Sequence, residues 1–177
     1  MERLVVLLRG INIGSRNRIA MPALREALED DGFDDVVTYL QSGNVVLSAT
    51  GAAAGVAKRC DRAIEKSFGL DIDVVVRTRA QLARVVALNP LADVAKDPKR
   101  YQVSFLSAKP SAATMRKLEE TAAPSERVVL AGREIYAWHP EGIGRSRLWT
   151  LLAGRGLGVT ATARNWTTVT KLLELAS

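Results

Sequence analysis

The chain has little of the chemistry that metal centres and nucleophilic enzymes require. It contains one cysteine, Cys60, and one histidine, His139, among 177 residues. These are too few for an ordinary zinc or iron site, which takes about four such ligands. Cys60 lies on the apolar stripe of a helical pattern, and His139 directly precedes Pro140 in a loop pattern, so we expect a core thiol and a surface imidazole. The sequence therefore predicts no bound metal and no obvious catalytic residue.

Long apolar runs are also missing, although 47% of the residues are hydrophobic. No stretch approaches the roughly 20 apolar residues that a membrane-spanning helix needs. The sequence begins with a strand-like segment rather than a signal-peptide pattern, and a single cysteine has no partner for an intrachain disulfide. We therefore expect a protein without membrane contact in a reducing, cytoplasmic setting. The oligomeric state stays open.

Acidic residues are absent from two long basic stretches of a chain with a net charge of +6. Residues 3–25 include five arginines, and residues 142–173 include four arginines and one lysine. Because a guanidinium group can bind phosphate or carboxylate through two parallel hydrogen bonds, these stretches indicate an anionic partner. A solvated basic face produces the same pattern, and this alternative stays open.

Hydropathy patterning predicts two halves with the same order of elements. In the first half, continuous apolar runs or alternating apolar and polar residues predict strands at residues 4–8, 36–41, 44–48 and 73–77. Helices are expected to end at Gly32 and Gly69. In the second half, strands are expected at residues 102–106, 127–130, 134–138 and 157–162. Ser111 caps a helix there, Gly154 ends another, and Asn165 caps a last one.

This order predicts an α+β protein with two ferredoxin-like βαββαβ halves, each with an antiparallel sheet, plus a C-terminal helix. The predicted first half covers residues 1–78, a helical connector covers 79–98, and the second half with the terminal helix covers 99–177. In such a half the first and third strands are antiparallel neighbours. The loop at residues 9–18 and the turn at residues 41–44 are therefore expected at the same end of the first sheet.

These two segments concentrate glycine, arginine and amide side chains. Glycines allow sharp turns and present backbone N–H groups, arginines add charge, and amides both donate and accept hydrogen bonds. We therefore predict a site for a phosphate-bearing small molecule, such as a nucleotide, or for nucleic acid. The candidate residues are Arg9, Gly10, Asn12, Gly14, Arg16, Arg18, Gln41, Ser42, Gly43 and Asn44, with Arg164 near the C-terminus as a further candidate.

Other interpretations of this cluster stay open. The glycine spacing matches neither the P-loop nor the dinucleotide-binding pattern, so no cofactor is predicted. The glycines could serve only the turns, with Asn12 and Asn44 bonded to loop backbone and the arginines solvated. An enzyme acting on a small phosphorylated or carboxylated substrate could use Ser15, Ser42 or an aspartate at the same site. A protein-interaction scaffold would instead use exposed strand edges.

Two further chemistries receive weak support. Aspartates 34, 35, 71 and 73 could hold magnesium beside a phosphate, although turn formation also accounts for them. An RNA-recognition platform needs aromatics on the central strands, and the first half has none there. The second half has Tyr101 and Phe105 on one strand and Tyr136 and Trp138 on another, which core packing explains at least as well.

Several motifs resemble those of a known bacterial family, the one catalogued as domain of unknown function 1697. They are "RGIN" at residues 9–12 with Gly14, the helix start Met21-Pro22, Tyr39 with "QSGN" at residues 41–44, and "TARNW" at residues 162–166. The resemblance covers essentially the whole chain. Members often carry lysine in the basic loop where this chain has Arg16 or Arg18. The family implies ferredoxin-like α+β halves and brings no established activity.

Overall fold

Two four-stranded antiparallel sheets organise the chain, one in each of two units. The computed structural model describes all 177 residues, and their contacts divide into unit 1, residues 1–84 and 172–177, and unit 2, residues 85–171. The α+β prediction of two βαββαβ halves is confirmed. No helix combines the length and the apolar composition that crossing a membrane demands.

Unit 1 has the strand order β2-β3-β1-β4, so β1 and β3 are its central strands. The end of β1 lies beside the starts of two other strands, because Leu7 pairs with Asn44 and Leu8 pairs with Val74. The elements are β1 (Glu2–Leu8), α1 (Met21–Asp30), β2 (Asp34–Tyr39), β3 (Asn44–Ala49), α2 (Ala53–Phe68) and β4 (Val74–Thr78).

The core of unit 1 forms where the two helices cover one face of this sheet. Leu4, Val6 and Leu8 project from β1 onto that face and are buried with Leu24 of α1 and Ile64 of α2. Local sequence features mark where the helices begin and end. Pro22 lies in the first turn of α1, where its missing N–H has no intrahelical role, and Gly69 ends α2 in the left-handed region.

Strand β2 is an edge of this sheet and is irregular. Its pairing with β3 shifts register between Asp34 and Val37, and Asp35 has a φ of +49°. Arg3 Nη1 donates to the Asp35 carbonyl at 2.8 Å, and Ser48 Oγ donates to Asp35 Oδ2 at 3.0 Å. The bulge is thus held by side-chain hydrogen bonds from the adjacent strand β3 and from β1, the next strand of the sheet.

Unit 2 repeats the arrangement with the strand order β6-β7-β5-β8. Ser111 Oγ caps α4 by accepting from Thr114 N, and Asn165 Oδ1 accepts from Thr168 N at the start of α6. Both caps agree with the sequence prediction. The elements that follow β4 along the chain are α3 (Arg79–Leu88), β5 (Tyr101–Leu106), α4 (Ala112–Thr121), β6 (Arg127–Ala131), β7 (Glu134–Trp138), α5 (Arg147–Ala153), β8 (Ala161–Asn165) and α6 (Trp166–Ala176).

The position of the last strand was predicted wrongly. The pattern placed it at residues 157–162, whereas β8 runs from Ala161 to Asn165. Gly158 has a φ of +74°, which belongs to a loop, and the true strand contains small and charged residues rather than an apolar run. Its buried positions include Thr162 and Arg164, which a hydropathy pattern assigns to the surface.

Candidate functional site

Three chain connections meet at one end of the unit 1 sheet. Backbone N–H groups at the end of β1 donate to the flanking connections, Leu8 N to Gly43 O and Arg9 N to Asp73 O, both at 2.9 Å. Asn12 Nδ2 donates to Gln41 O at 2.7 Å and links the 9–18 loop to the 41–44 turn. The structure therefore brings together every candidate residue of these two segments.

The 9–18 loop is a small hairpin in its own right. Asn12 N donates to Asn17 O at 3.0 Å, and Arg16 N donates to Ile13 O at 3.1 Å. Gly14, the first central residue of that tight turn, has a φ of +59°. A positive φ at this position matches the hairpin turns that fit the natural twist of strands. The loop thus has a defined conformation.

The asparagine side chains brace this end of the sheet. Besides its bond to Gln41, Asn12 Nδ2 donates to Ile19 O at 2.9 Å, and Asn12 Oδ1 accepts from Ile19 N at 2.8 Å. Asn44 is fully buried, and its Nδ2 donates to Tyr39 O and Ser42 Oγ, both at 2.9 Å. Asn17 Nδ2 donates to Gly10 O at 3.1 Å. These amides hold the loop and the turn in place.

Gly43 occupies a position that a larger residue does not fit. Its φ is +85°, and a Cβ atom there would lie 2.7 Å from Leu8 Cβ and 2.9 Å from Ile11 Cδ1. The 41–44 turn therefore packs directly against the end of β1 and the start of the 9–18 loop. Glycine is required here for space as well as for conformation.

Charged and polar side chains remain on the outer surface of this structure. Arg16, Arg18, Gln41 and Ser42 are exposed, whereas Arg9 and Gly10 are half-buried. Arg18 Nη1 donates to Gly14 O at 2.8 Å, which fixes one guanidinium over the turn. The Arg16 guanidinium makes neither a hydrogen bond nor an ion pair within the protein. This end of the sheet thus presents positive charge on a braced loop.

Arg164 belongs to β8 of unit 2, whereas the other candidate residues belong to unit 1. Its Nη1 donates to Thr162 Oγ1 at 2.7 Å and to Ala163 O at 2.8 Å. Burial lowers the pKa of its guanidinium to about 10. Of the four aromatic residues predicted on strands of the second half, Tyr101, Phe105 and Tyr136 are each 1% exposed and offer no surface for stacking bases, and Trp138 is half-buried.

The expectation that His139 is a surface residue was wrong. The side chain is fully buried beside Glu126, which is 9% exposed, and both contact Ser146. Glu126 Oε2 accepts from Ser146 Oγ at 2.6 Å and from His139 Nδ1 at 2.5 Å, and Glu126 Oε1 accepts from Ala123 N at 3.0 Å. These partners are distant in sequence, so the loop pattern around His139 gave no sign of them.

These three residue types occur in hydrolase triads, but their arrangement differs from one. In a triad the serine bonds to one imidazole nitrogen and the acid holds the other. Here both Ser146 Oγ, at 3.2 Å, and Glu126 approach Nδ1, while Nε2 is buried without a partner. Ser146 Oγ also accepts from Trp149 N at 3.0 Å as the cap of α5. The cluster is therefore a buried structural network.

The pKa of the Glu126 carboxyl reflects this network. Burial by itself raises the pKa, but hydrogen bonds from Ser146, Ala123 N and His139 outweigh it and bring the pKa below its ordinary value. Glu126 is consequently ionised at neutral pH and is a weak base. No group of three or more His, Cys, Asp or Glu residues is arranged to hold a metal ion, and aspartates 34, 35, 71 and 73 form no such group.

Cys60 behaves as the sequence predicted. The thiol is fully buried in the unit 1 core and forms no disulfide. Burial, the largest cause, raises its pKa to about 12, although Arg59 acts in the opposite direction. A thiol with this pKa is almost entirely protonated at neutral pH and is a poor nucleophile.

Comparison with known proteins supports the fold and identifies the family. A solved structure described as conserved bacterial protein SP0830 from Streptococcus pneumoniae is similar, with a TM-score of 0.80 and 19% sequence identity over 99% of both chains. No curated protein matches significantly. A family model described as "Protein of unknown function (DUF1697)" matches residues 1–136. Since that match covers more than half of the sequence, the chain belongs to the DUF1697 family.

Proposed function

We propose that the protein binds a phosphate-bearing ligand, a nucleotide or a segment of nucleic acid, at the end of the unit 1 sheet. The observation that carries this proposal is the exposed Arg16 guanidinium, unpaired within the protein and presented on a braced loop beside Arg18. An unpaired guanidinium retains its full capacity for two parallel hydrogen bonds to phosphate.

The bracing hydrogen bonds favour a binding role for this loop. Asn12, Asn17 and Asn44 hold the 9–18 loop and the 41–44 turn with their side chains. A ligand that meets a loop already in one conformation loses less free energy to ordering. In this proposal Gly10, Asn12, Gly43 and Asn44 support the site, while Arg16, Arg18, Gln41 and Ser42 face the ligand, with Arg9 as a further source of charge.

Exposed apolar side chains next to these charges favour a nucleotide or nucleic acid over a simple anion. Ile13 is 67% exposed at the tip of the 9–18 loop, and Leu40 is 55% exposed directly before Gln41. Asn12, directly before Ile13, donates to Gln41, directly after Leu40, so the two apolar residues adjoin a hydrogen-bonded pair. A base has an apolar face, and this surface offers contact for it while the arginines bind phosphate.

Fluorescence anisotropy with a labelled single-stranded oligonucleotide tests the nucleic-acid form of the proposal. The affinity of wild-type protein should fall steeply between low and physiological salt. Two lost phosphate contacts should reduce the slope of log K against log salt by about 1.4 in the R16A/R18A variant, since each contributes about 0.7 on a single strand. The control K58A/R62A removes the same charge from exposed positions of α2 and should keep the wild-type slope.

A thermal-shift titration with nucleotides and inorganic phosphate tests the small-molecule form. A ligand that binds only the folded state raises the melting temperature, and R16A/R18A should lose that increase while K58A/R62A keeps it. Equal binding by R16A/R18A and wild type would refute the site. Failure of both oligonucleotides and nucleotides to bind wild-type protein would refute the function.

A further inference from the structure

Unit 2 contains a cavity that lies outside the site described above. Its volume is about 750 Å³, within the range of small-molecule pockets. Two chain segments form its walls: the connection from α4 to β6, between residues 121 and 126, and the loop from β7 to α5, between residues 141 and 147. Both segments belong to unit 2, so the cavity is complete within that unit.

The buried Glu126 network fixes the shape of this cavity. The carboxylate accepts from Ala123 N in one wall and from Ser146 Oγ in the other. His139 Nδ1 bonds the same carboxylate, and the His139 ring is fully buried. Because these bonds join the walls, the cavity does not need to be ordered by its ligand.

Unpaired charged groups line the cavity. The guanidinium groups of Arg145 and Arg147 are exposed on either side of Ser146, and neither makes a hydrogen bond or an ion pair within the protein. Glu141, also exposed, has no internal partner either. The cavity is therefore lined by two guanidinium groups and by the Glu141 carboxylate, which can only accept hydrogen bonds.

We propose that this cavity binds a small molecule that carries a phosphate or carboxylate group together with hydroxyl or amine donors. Arg145 and Arg147 bind the anionic group, because planar guanidinium groups match its oxygen atoms. Glu141 accepts from the donors, and the hydroxyl of Ser125, which also lines the cavity, adds a further polar contact. The ionised Glu126 already accepts from three donors and holds the cavity walls together. Its negative charge disfavours an anionic group placed next to it.

NMR titration of the intact protein tests this assignment with three probes: glucose 6-phosphate, citrate and inorganic phosphate. Glucose 6-phosphate or citrate should shift the amide resonances of residues 121–126 and 141–147 in a saturable manner. Binding by the sugar phosphate alone assigns the phosphate form of the ligand, and binding by citrate alone assigns the carboxylate form. Absence of any shift in these residues with both organic probes would overturn the proposal.

Variants decide whether the arginines bind the anion. R145A/R147A should weaken binding of the organic probe by about tenfold or more, because the loss of even one charge-assisted hydrogen bond is worth about a factor of ten. The control R116A, an exposed unpaired position on α4, should bind as wild type does. R16A/R18A should leave the shifts of residues 121–126 and 141–147 unchanged. Wild-type affinity in R145A/R147A, or shifts confined to residues 9–18, would contradict the assignment.

A second variant separates the role of Glu141 from general electrostatics. E141Q removes a negative charge and should strengthen binding of inorganic phosphate, which offers no alcohol or amine donor. The same change should weaken binding of glucose 6-phosphate relative to inorganic phosphate, because a hydroxyl loses its charged acceptor. An equal change for both probes would exclude Glu141 as the acceptor for the ligand.

Discussion

Replacing Gly43 with alanine should destabilise the protein far more than replacing another glycine that also has a positive φ. Two effects add at this position. Alanine at a φ of +85° is strained, which costs about 1 to 2 kcal/mol. The new Cβ would also lie 2.7 Å from Leu8 Cβ and 2.9 Å from Ile11 Cδ1, and overpacking of a buried site costs about 1 to 3 kcal/mol.

Together these effects predict a loss of about 2 to 5 kcal/mol in the free energy of unfolding for G43A. Gly69 provides the matched control, since its φ is +65° but a Cβ there meets no atom within 4 Å. G69A should therefore lose only the conformational part, about 1 to 2 kcal/mol. The difference between the two variants isolates the steric contribution of the packed turn.

Urea denaturation, monitored by far-UV circular dichroism, measures the free energy of unfolding of G43A and of G69A. The Ile11 contact can be relieved in part with I11V, which removes Cδ1 but leaves Ile11 Cγ1, 3.0 Å from the added Cβ, and the Leu8 contact. The loss of stability in G43A/I11V should therefore lie between that of G43A and the sum of the single losses. Equal destabilisation by G43A and G69A would refute the close packing of the turn against β1, and with it the bracing on which the proposed site depends.

Two further predictions concern buried groups. Glu126→Gln should lower the free energy of unfolding by about 2 to 4 kcal/mol at neutral pH, whereas the exposed control Glu141→Gln should change it by less than about 0.5 kcal/mol. Because the folded-state pKa of Glu126 is lowered, its stabilisation is present above the unfolded pKa of about 4.3 and is lost as pH falls through the folded value. The gap in melting temperature between wild type and E126Q should thus narrow at acid pH, and a constant gap would contradict the ionised network. Cys60, with a pKa of about 12, should not react with Ellman's reagent at neutral pH until denaturant is added. Rapid reaction in native buffer would show that the thiol is accessible.

Local sequence features were sufficient to predict most of the fold. The apolar run at residues 4–8, the glycines that end helices and the Ser111 and Asn165 caps act over a few residues, so their effects can be read without knowing the tertiary structure. The juxtaposition of the 9–18 loop and the 41–44 turn followed from the topology, since β1 and β3 are antiparallel neighbours. The amide side chains there turned out to bond loop backbone, an alternative that the sequence also left open.

Long-range contacts account for what the sequence did not reveal. His139 is buried because Glu126, thirteen positions earlier, and Ser146, seven positions later, satisfy its Nδ1 atom. The last strand was misplaced because β8 buries Arg164 and Thr162 rather than an apolar run. The cavity of unit 2 requires two loops to meet, and the sequence predicted no site there, although residues 142–147 belong to the second basic stretch.

The irregular edge of the first sheet has a consequence for solubility. An open edge strand exposes unpaired backbone groups that can recruit a strand from another molecule. In β2 the register shift between Asp34 and Val37 interrupts that row of groups, and the two adjoining aspartates place negative charge along it. A second copy that pairs through the same edge would therefore meet a bend and like charges together, which disfavours intermolecular β-pairing next to the exposed Val37 and Leu40.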